Sequence, residues 1–123
     1  MSNKKTILLV DDDVAILNTL VWYLEPTYDV LTAKDGVDAA YLYEENAQHI
    51  SALITDDDVP RLDGSALAEW VHHINPELPI IVTSGRIRNG SLKKLAQRQM
   101  ISLLGKPFQT CQIEKMLNDF IRS

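Results

Sequence analysis

The chain alternates between short, unbroken apolar runs and longer stretches in which apolar residues recur every three or four positions. Thr6-Ile7-Leu8-Leu9-Val10, Ala52-Leu53-Ile54-Thr55 and Pro79-Ile80-Ile81-Val82-Thr83 are too short for helices and are bounded by turn formers, as expected of strands buried on both faces. Tyr28 to Thr32 and Ile101 to Leu104 read as further strands. Leu17, Leu20, Val21 and Leu24 fall at i, i+3, i+4 and i+7 of a first helix, which Asp11 to Asp13 can cap and Pro26 closes. Lys34-Asp35-Gly36 turns into a second helix from about Val37 to Glu45. A third carries Leu67, Trp70, Val71 and Ile74 on one face and stops at Asn75-Pro76. A fourth runs from about Ser91 to Gln99 with Leu92, Leu95 and Ala96, and the last is lined by Ile113, Met116, Leu117 and Phe120.

Strand and helix thus alternate five times with short connections. This predicts an α/β domain with a parallel sheet, helices on both faces and right-handed crossovers. Of the doubly wound arrangements, the flavodoxin-like (βα)5 order 2-1-3-4-5 fits five strands. It makes strands one and three neighbours, so their carboxyl ends would bring Asp11 and Asp12 beside Asp56 at the edge where open α/β sheets bind ligands.

Length adds a bound: 123 residues make one domain, 1–123, able to hold a core without metal or disulfide staples. An apolar share of 46% with 24% charged residues is ordinary for a globular chain, and no apolar run approaches the roughly 20 residues a membrane span needs. Met1-Ser2-Asn3-Lys4-Lys5 is basic but leads straight into a strand without a small-residue cleavage site, so a cytoplasmic location is expected. A net charge of −5 argues against direct nucleic-acid binding. The one cysteine, Cys111, has no partner for a disulfide or a metal site and reads as an ordinary helix residue.

Carboxylates gathered within a few ångströms must take up protons or bind a cation. An all-oxygen site suits Mg²⁺, with Mn²⁺ able to stand in, and an Asp carboxylate there can act as a nucleophile and form an acyl phosphate. Ser84 ends strand four and Lys106 follows strand five, so a hydroxyl and an ammonium should reach the same edge. Pro107 allows a cis bond before it. Asp56-Asp57-Asp58 is not an EF-hand loop, because no central Gly or bidentate Glu falls at the required spacing. A phosphatase with a nucleophilic Asp resembles D-x-D-x-T, but Ala15 stands where Thr is expected.

Val10-Asp11-Asp12, Asp56 followed by Pro60 and Asp63-Gly64, Ser84, and Lys106-Pro107-Phe108 together resemble the receiver domain of two-component response regulators over nearly the whole chain. The resemblance implies a phosphoryl-accepting switch in two-component signal transduction, catalysing only its own phosphorylation and dephosphorylation. The phosphoryl group would come from a histidine kinase or phosphotransfer protein onto Asp56, four residues before the proline. Asp12 and Asp56 would ligate the metal directly, Asp11 mainly through water, and Asp58 through its backbone carbonyl. Ser84 takes the switch-hydroxyl position, in preference to Thr83, and Lys106 the phosphate-pairing position. Asp58 and Arg86 fall beside the phosphoryl group, where they are expected to pair and tune its lifetime. The read-out would be a partner protein contacted by a stand-alone receiver, as a monomer or a weak dimer formed on phosphorylation. The alternatives are a receiver fragment of a larger regulator or hybrid kinase, and a non-phosphorylated pseudo-receiver that only binds.

Some positions depart from the family pattern. Leu103 stands where an aromatic switch residue is usual, and Val59 is smaller than the usual residue before the proline. A glycine commonly precedes the last strand, where Gln99 and Met100 stand, so the end of helix four should be shaped differently. Asp57 reads as a solvated bystander, and His49, His72 and His73 as solvated or capping residues. Trp70 reads as core, whereas Trp22 lies off the main stripe of its helix, as a rim or contact residue would.

Overall fold

A strand with apolar residues on both faces needs cover on both sides, and the amphipathic helices between the strands supply it. The computed structural model describes residues 4–85, 90–97 and 100–121. Its elements in chain order are β1 (Thr6–Val10), α1 (Val14–Leu24), β2 (Asp29–Ala33), α2 (Gly36–Asn46), β3 (Ile50–Asp56), α3 (Gly64–Ile74), β4 (Ile80–Ser84), α4 (Gly90–Ala96), β5 (Ile101–Gly105) and α5 (Thr110–Ile121). The strands form one sheet in the order β2-β1-β3-β4-β5, and every neighbouring pair is parallel. This is the doubly wound order expected from the alternation.

Successive residues of each strand enter opposite core layers, as the period of two requires. Leu8, Val10, Leu53, Ile80 and Val82 pack with Ala39, Tyr43, Leu67, Val71 and Leu95 from α2, α3 and α4. Ile7, Leu9, Ile54 and Ile81 pack with Leu17, Leu20, Leu24, Ile113 and Leu117 from α1 and α5. In the first layer Tyr43 and Trp70 meet edge to face with ring centroids 5.9 Å apart, an arrangement aromatic pairs favour. In the second, the Tyr23 hydroxyl donates to Glu114 at 3.4 Å and the Tyr28 hydroxyl to Asn118 at 3.1 Å, tying the first α1–β2 segment to α5.

The expected elements are all present, with shifted ends. β3 starts at Ile50, two residues before the apolar run, and continues through Asp56. The α4 helix is described over Gly90–Ala96; the Leu92 side chain and Gln99 lie outside the described residues. Ile74, expected on the core face of α3, is half exposed, because it sits at the edge of the Leu67–Val71 stripe and is the last residue of the helix. Trp22 is 79% exposed and stands clear of the core. Among the described residues no helix is long and apolar enough to cross a membrane.

Met100, just before β5, carries a backbone strain that a glycine would not. Its φ of 76° lies in the left-handed region, while its carbonyl accepts the Ile80 amide at 2.8 Å and so starts the β4–β5 pairing. Met100→Gly is therefore expected to raise stability by up to about 1 kcal/mol. In the same chemical-denaturation series, Leu53→Ala should lose about 2–5 kcal/mol and Trp22→Ser should stay within about 0.5 kcal/mol of the parent.

Candidate functional site

The register of β1 on β3 pairs Val10 with Thr55, so the next residues, Asp11 and Asp56, emerge side by side at the carboxyl edge. The ladder does not stop at the last strand residue. The Asp11 amide donates to the Ala33 carbonyl at 3.1 Å, the Asp57 amide to Thr83 at 2.9 Å, and the Lys106 amide to Ser84 at 2.8 Å. Backbone pairing thereby carries Asp11, Asp56, Asp57 and Lys106 to one edge before the chains diverge.

Side chains complete the cluster. The Lys106 ammonium lies 3.1 Å from Asp56 Oδ2 and 3.3 Å from Asp11 Oδ2. The other Asp11 oxygen accepts the Asp13 amide at 2.9 Å, which fixes its orientation, while the Asp13 carboxylate caps α1 by accepting from the amides of Ala15 and Ile16. Asp11 and Asp56 are buried and Asp12 is exposed. Oxygens of these three carboxylates lie within 4.8 Å of one another. Among the described residues, three carboxylates face one ammonium, an excess of two negative charges, and the donors are all hard oxygens. That set fits a divalent cation such as Mg²⁺, whose ligand oxygens sit about 3–4 Å apart around an octahedral centre.

The electrostatics agree with that imbalance. Burial pushes the Asp56 carboxyl up from its ordinary 3.8 to about 6; Lys106 opposes the shift, and the charges of Asp11 and Asp57 add to it. Burial pulls Lys106 down, but the hydrogen bond to Asp56 and the charges of Asp11 and Asp56 outweigh it, and the ammonium ends above its ordinary value.

The turn after β3 is fixed by glycine. A Cβ on Gly64 would run into the Asp56 carbonyl oxygen and stand 2.8 Å from Thr55 Oγ1. The Thr55 hydroxyl donates to that same carbonyl at 3.0 Å, and the Gly64 amide donates to Asp57 at 3.1 Å. This close approach gives the Asp63-Gly64 pair its physical meaning: only a residue without a side chain lets α3 begin against the backbone of Asp56.

Of the residues singled out in the sequence, Asp11, Asp12, Asp56 and Lys106 come together, and Ser84 is buried at the end of β4, joined to Lys106 through the backbone. Thr83 instead stands opposite Asp56 in the strand register. The Lys106–Pro107 bond is cis. Asp58 is exposed, and Arg86 lies outside the described residues, as does any pair between them. Leu103 lies opposite Val82 and packs, partly buried, against the core layer of α2, α3 and α4. Asp57 corrects an expectation. It is buried at 6% exposure rather than solvated, because the ladder to Thr83 carries the chain one residue past the strand, and its charge bears on Asp56. A run of three aspartates gives no sign in sequence of where burial ends.

A family model described as the response regulator receiver domain matches residues 7–118. The chain belongs to this family. It is a receiver domain of two-component signal transduction, and receiver domains are signalling domains. A solved receiver domain from Clostridium thermocellum is 27% identical, with a TM-score of 0.85 over 96% of this chain and 94% of that one. A second, from a sensor histidine kinase of Pseudomonas aeruginosa PAO1, is 26% identical with a TM-score of 0.80 over 98% and 99% of the two chains, and has a magnesium ion coordinated in its active-site cleft. The sensor kinase CckA of Brucella abortus is 26% identical over 98% of this chain, which spans 13% of that kinase's length.

The raised Asp56 carboxyl predicts a pH-dependent gain on neutralising it. Above about pH 6 the folded and unfolded receiver both carry the charge, and the fold bears its full cost; below 3.8 both are protonated and the cost vanishes. Asp56→Asn should therefore be more stable than the parent at pH 7.5 in the absence of divalent cations. The gain should be on the order of 1 kcal/mol, or about 4 °C in Tm, after discounting for Lys106 and solvent screening. The difference should shrink as pH falls from 6 to 4, read by thermal unfolding.

Proposed function

We propose that this receiver accepts a phosphoryl group on Asp56 from a histidine kinase or phosphotransfer protein, in a Mg²⁺-dependent reaction, and changes its interaction surface as a result. One observation carries the reading: a buried carboxylate with a raised pKa is held 3.1 Å from a lysine ammonium and within 4.8 Å of two further carboxylates at the sheet edge. Such a carboxylate is ionised near neutral pH yet poorly stabilised, which suits it to attack phosphorus. An Asp56 oxygen bonds to phosphorus, the P–N bond of a phosphohistidine donor breaks, and its electron pair returns to the imidazole. Water later attacks the phosphorus of the acyl phosphate, which releases inorganic phosphate and restores the Asp56 carboxylate.

Asp12 and Asp56, with Asp11 and the Asp58 carbonyl, are the groups that would hold Mg²⁺. When bound, the ion screens the incoming phosphoryl oxygens from the acids and neutralises charge as it develops. Lys106, already seated between Asp11 and Asp56, exchanges part of its contact with these carboxylates for a phosphoryl oxygen. The Ser84 hydroxyl, at the end of the strand beside β3, donates to another phosphoryl oxygen and so links the chemistry to the end of β4. Leu103, with no hydroxyl to donate, transmits that shift by packing alone.

The whole chain acts as one domain in the cytoplasm, catalyses its own phosphorylation and dephosphorylation, and is read by a partner protein rather than by nucleic acid. Incubation of the purified chain with acetyl phosphate and MgCl2 should add one phosphoryl group by intact mass, and Asp56→Asn or chelation of the cation should abolish the gain. Absence of any gain in the parent protein would leave a pseudo-receiver. Lys106→Met should slow phosphorylation by at least about tenfold, the scale of losing one preorganised charge contact. The phosphorylation rate should fall on the acid side of a midpoint below about 6, because a bound cation favours the ionised carboxylate.

A further inference from the structure

The loop between β3 and α3 contains a residue whose backbone is out of keeping with its type. Arg61 has a φ of 72°, and the Leu62 amide donates to the Pro60 carbonyl at 2.8 Å, closing a three-residue turn around it. Glycine would occupy that positive φ with little strain, whereas arginine does not. Strain of this kind persists only where the surroundings over-determine it. Here they do so through α2. The Gly36 amide donates to the Pro60 carbonyl at 3.1 Å, and a Cβ on Gly36 would overlap the Leu62 carbonyl oxygen. The Arg61 guanidinium reaches back to Asp35 Oδ2 at 3.2 Å and Asp38 Oδ1 at 3.7 Å. Asp35 is well placed to hold it, since its other oxygen caps α2 by accepting the Asp38 amide at 2.8 Å, and that bond, with Arg61, keeps its carboxyl below the ordinary value.

We infer that Arg61 is a positioning residue for the metal site. Its clamp on Asp35 and Asp38 holds the strained turn, and the turn fixes the course of residues 57–63, so that the backbone carbonyl of Asp58 faces the cation together with Asp11, Asp12 and Asp56. The inference rests on the Mg²⁺ site proposed above. A half-exposed ion pair adds little to global stability, so its effect belongs to local geometry. It also explains why a long, charged side chain stands where a glycine would relieve the backbone.

Arg61→Gly separates the two roles, because it removes the strain and the clamp together. Calorimetric titration of MgCl2 into the full chain should show Mg²⁺ affinity weakened about tenfold, the low end of what outer partners of metal ligands cost. The Tm should be unchanged or higher, and amide hydrogen exchange at Gly36 and Leu62 in the cation-free protein should speed up. Arg61→Lys should recover part of the affinity. Asp35→Asn keeps a capping side chain but loses the charge, and should weaken Mg²⁺ in the same direction, with the double variant no worse than Arg61→Gly alone. If the parent binds Mg²⁺ and Arg61→Gly binds it within about twofold, the positioning role is wrong while the metal site stands. If the parent binds no Mg²⁺, the metal site itself is wrong and the positioning role falls with it.

Discussion

The structure depends on the contact between the Lys106 ammonium and two buried carboxylates, Asp11 and Asp56. Carboxylates this close cannot all remain charged in a partly dry setting without a compensating cation. Among the described residues, Lys106 supplies one charge and leaves the site short of neutrality. That shortfall is useful. Together with burial, which is the larger cause, it holds the Asp56 carboxyl near 6, and it leaves a set of oxygens that fits a divalent ion.

Placing those charges is the task of the fold. A parallel sheet ends all of its strands on one edge, and the order β2-β1-β3-β4-β5 puts the strand ends of Asp11 and Asp56 next to each other, with Lys106 two strands away. Backbone pairs that run one residue beyond β1, β3 and β5 hold this edge rigid. The glycine contact at Gly64 and the turn around Arg61 then set the path of the chain leaving Asp56. Rigid strands and shaped turns make the same division of labour that α/β sheets use for ligand sites in general.

Two left-handed residues, Arg61 and Met100, show how the same backbone irregularity serves different ends. Met100 has a φ that a glycine would adopt without strain, and among the described residues its backbone serves the start of β4–β5 pairing. Arg61 is braced by hydrogen bonds and ion pairs from α2 and lies three residues from Asp58. The first is a tolerated cost; the second belongs to the site.

The sequence by itself determined the alternation of strands and helices and the strand order, and it placed Asp56 at a strand end, because two-sided apolar runs and Pro/Gly punctuation are local physical signals. Asp11, Asp12, Ser84 and Lys106 were legible for the same reason: each follows a strand whose end is easy to find. Tertiary structure alone decided which neighbouring acid is buried and which is not. Asp57 and Asp58 are adjacent and chemically identical, yet the ladder to Thr83 draws the first inside and leaves the second in solvent. It also decided that Arg61, Asp35 and Asp38 meet, since residues 26 apart in sequence come into contact only once β3 has been laid beside β1 and α2 has packed back over the sheet. Periodicity reports the face a residue prefers; long-range pairing decides which charges share a volume, and that sharing sets their chemistry.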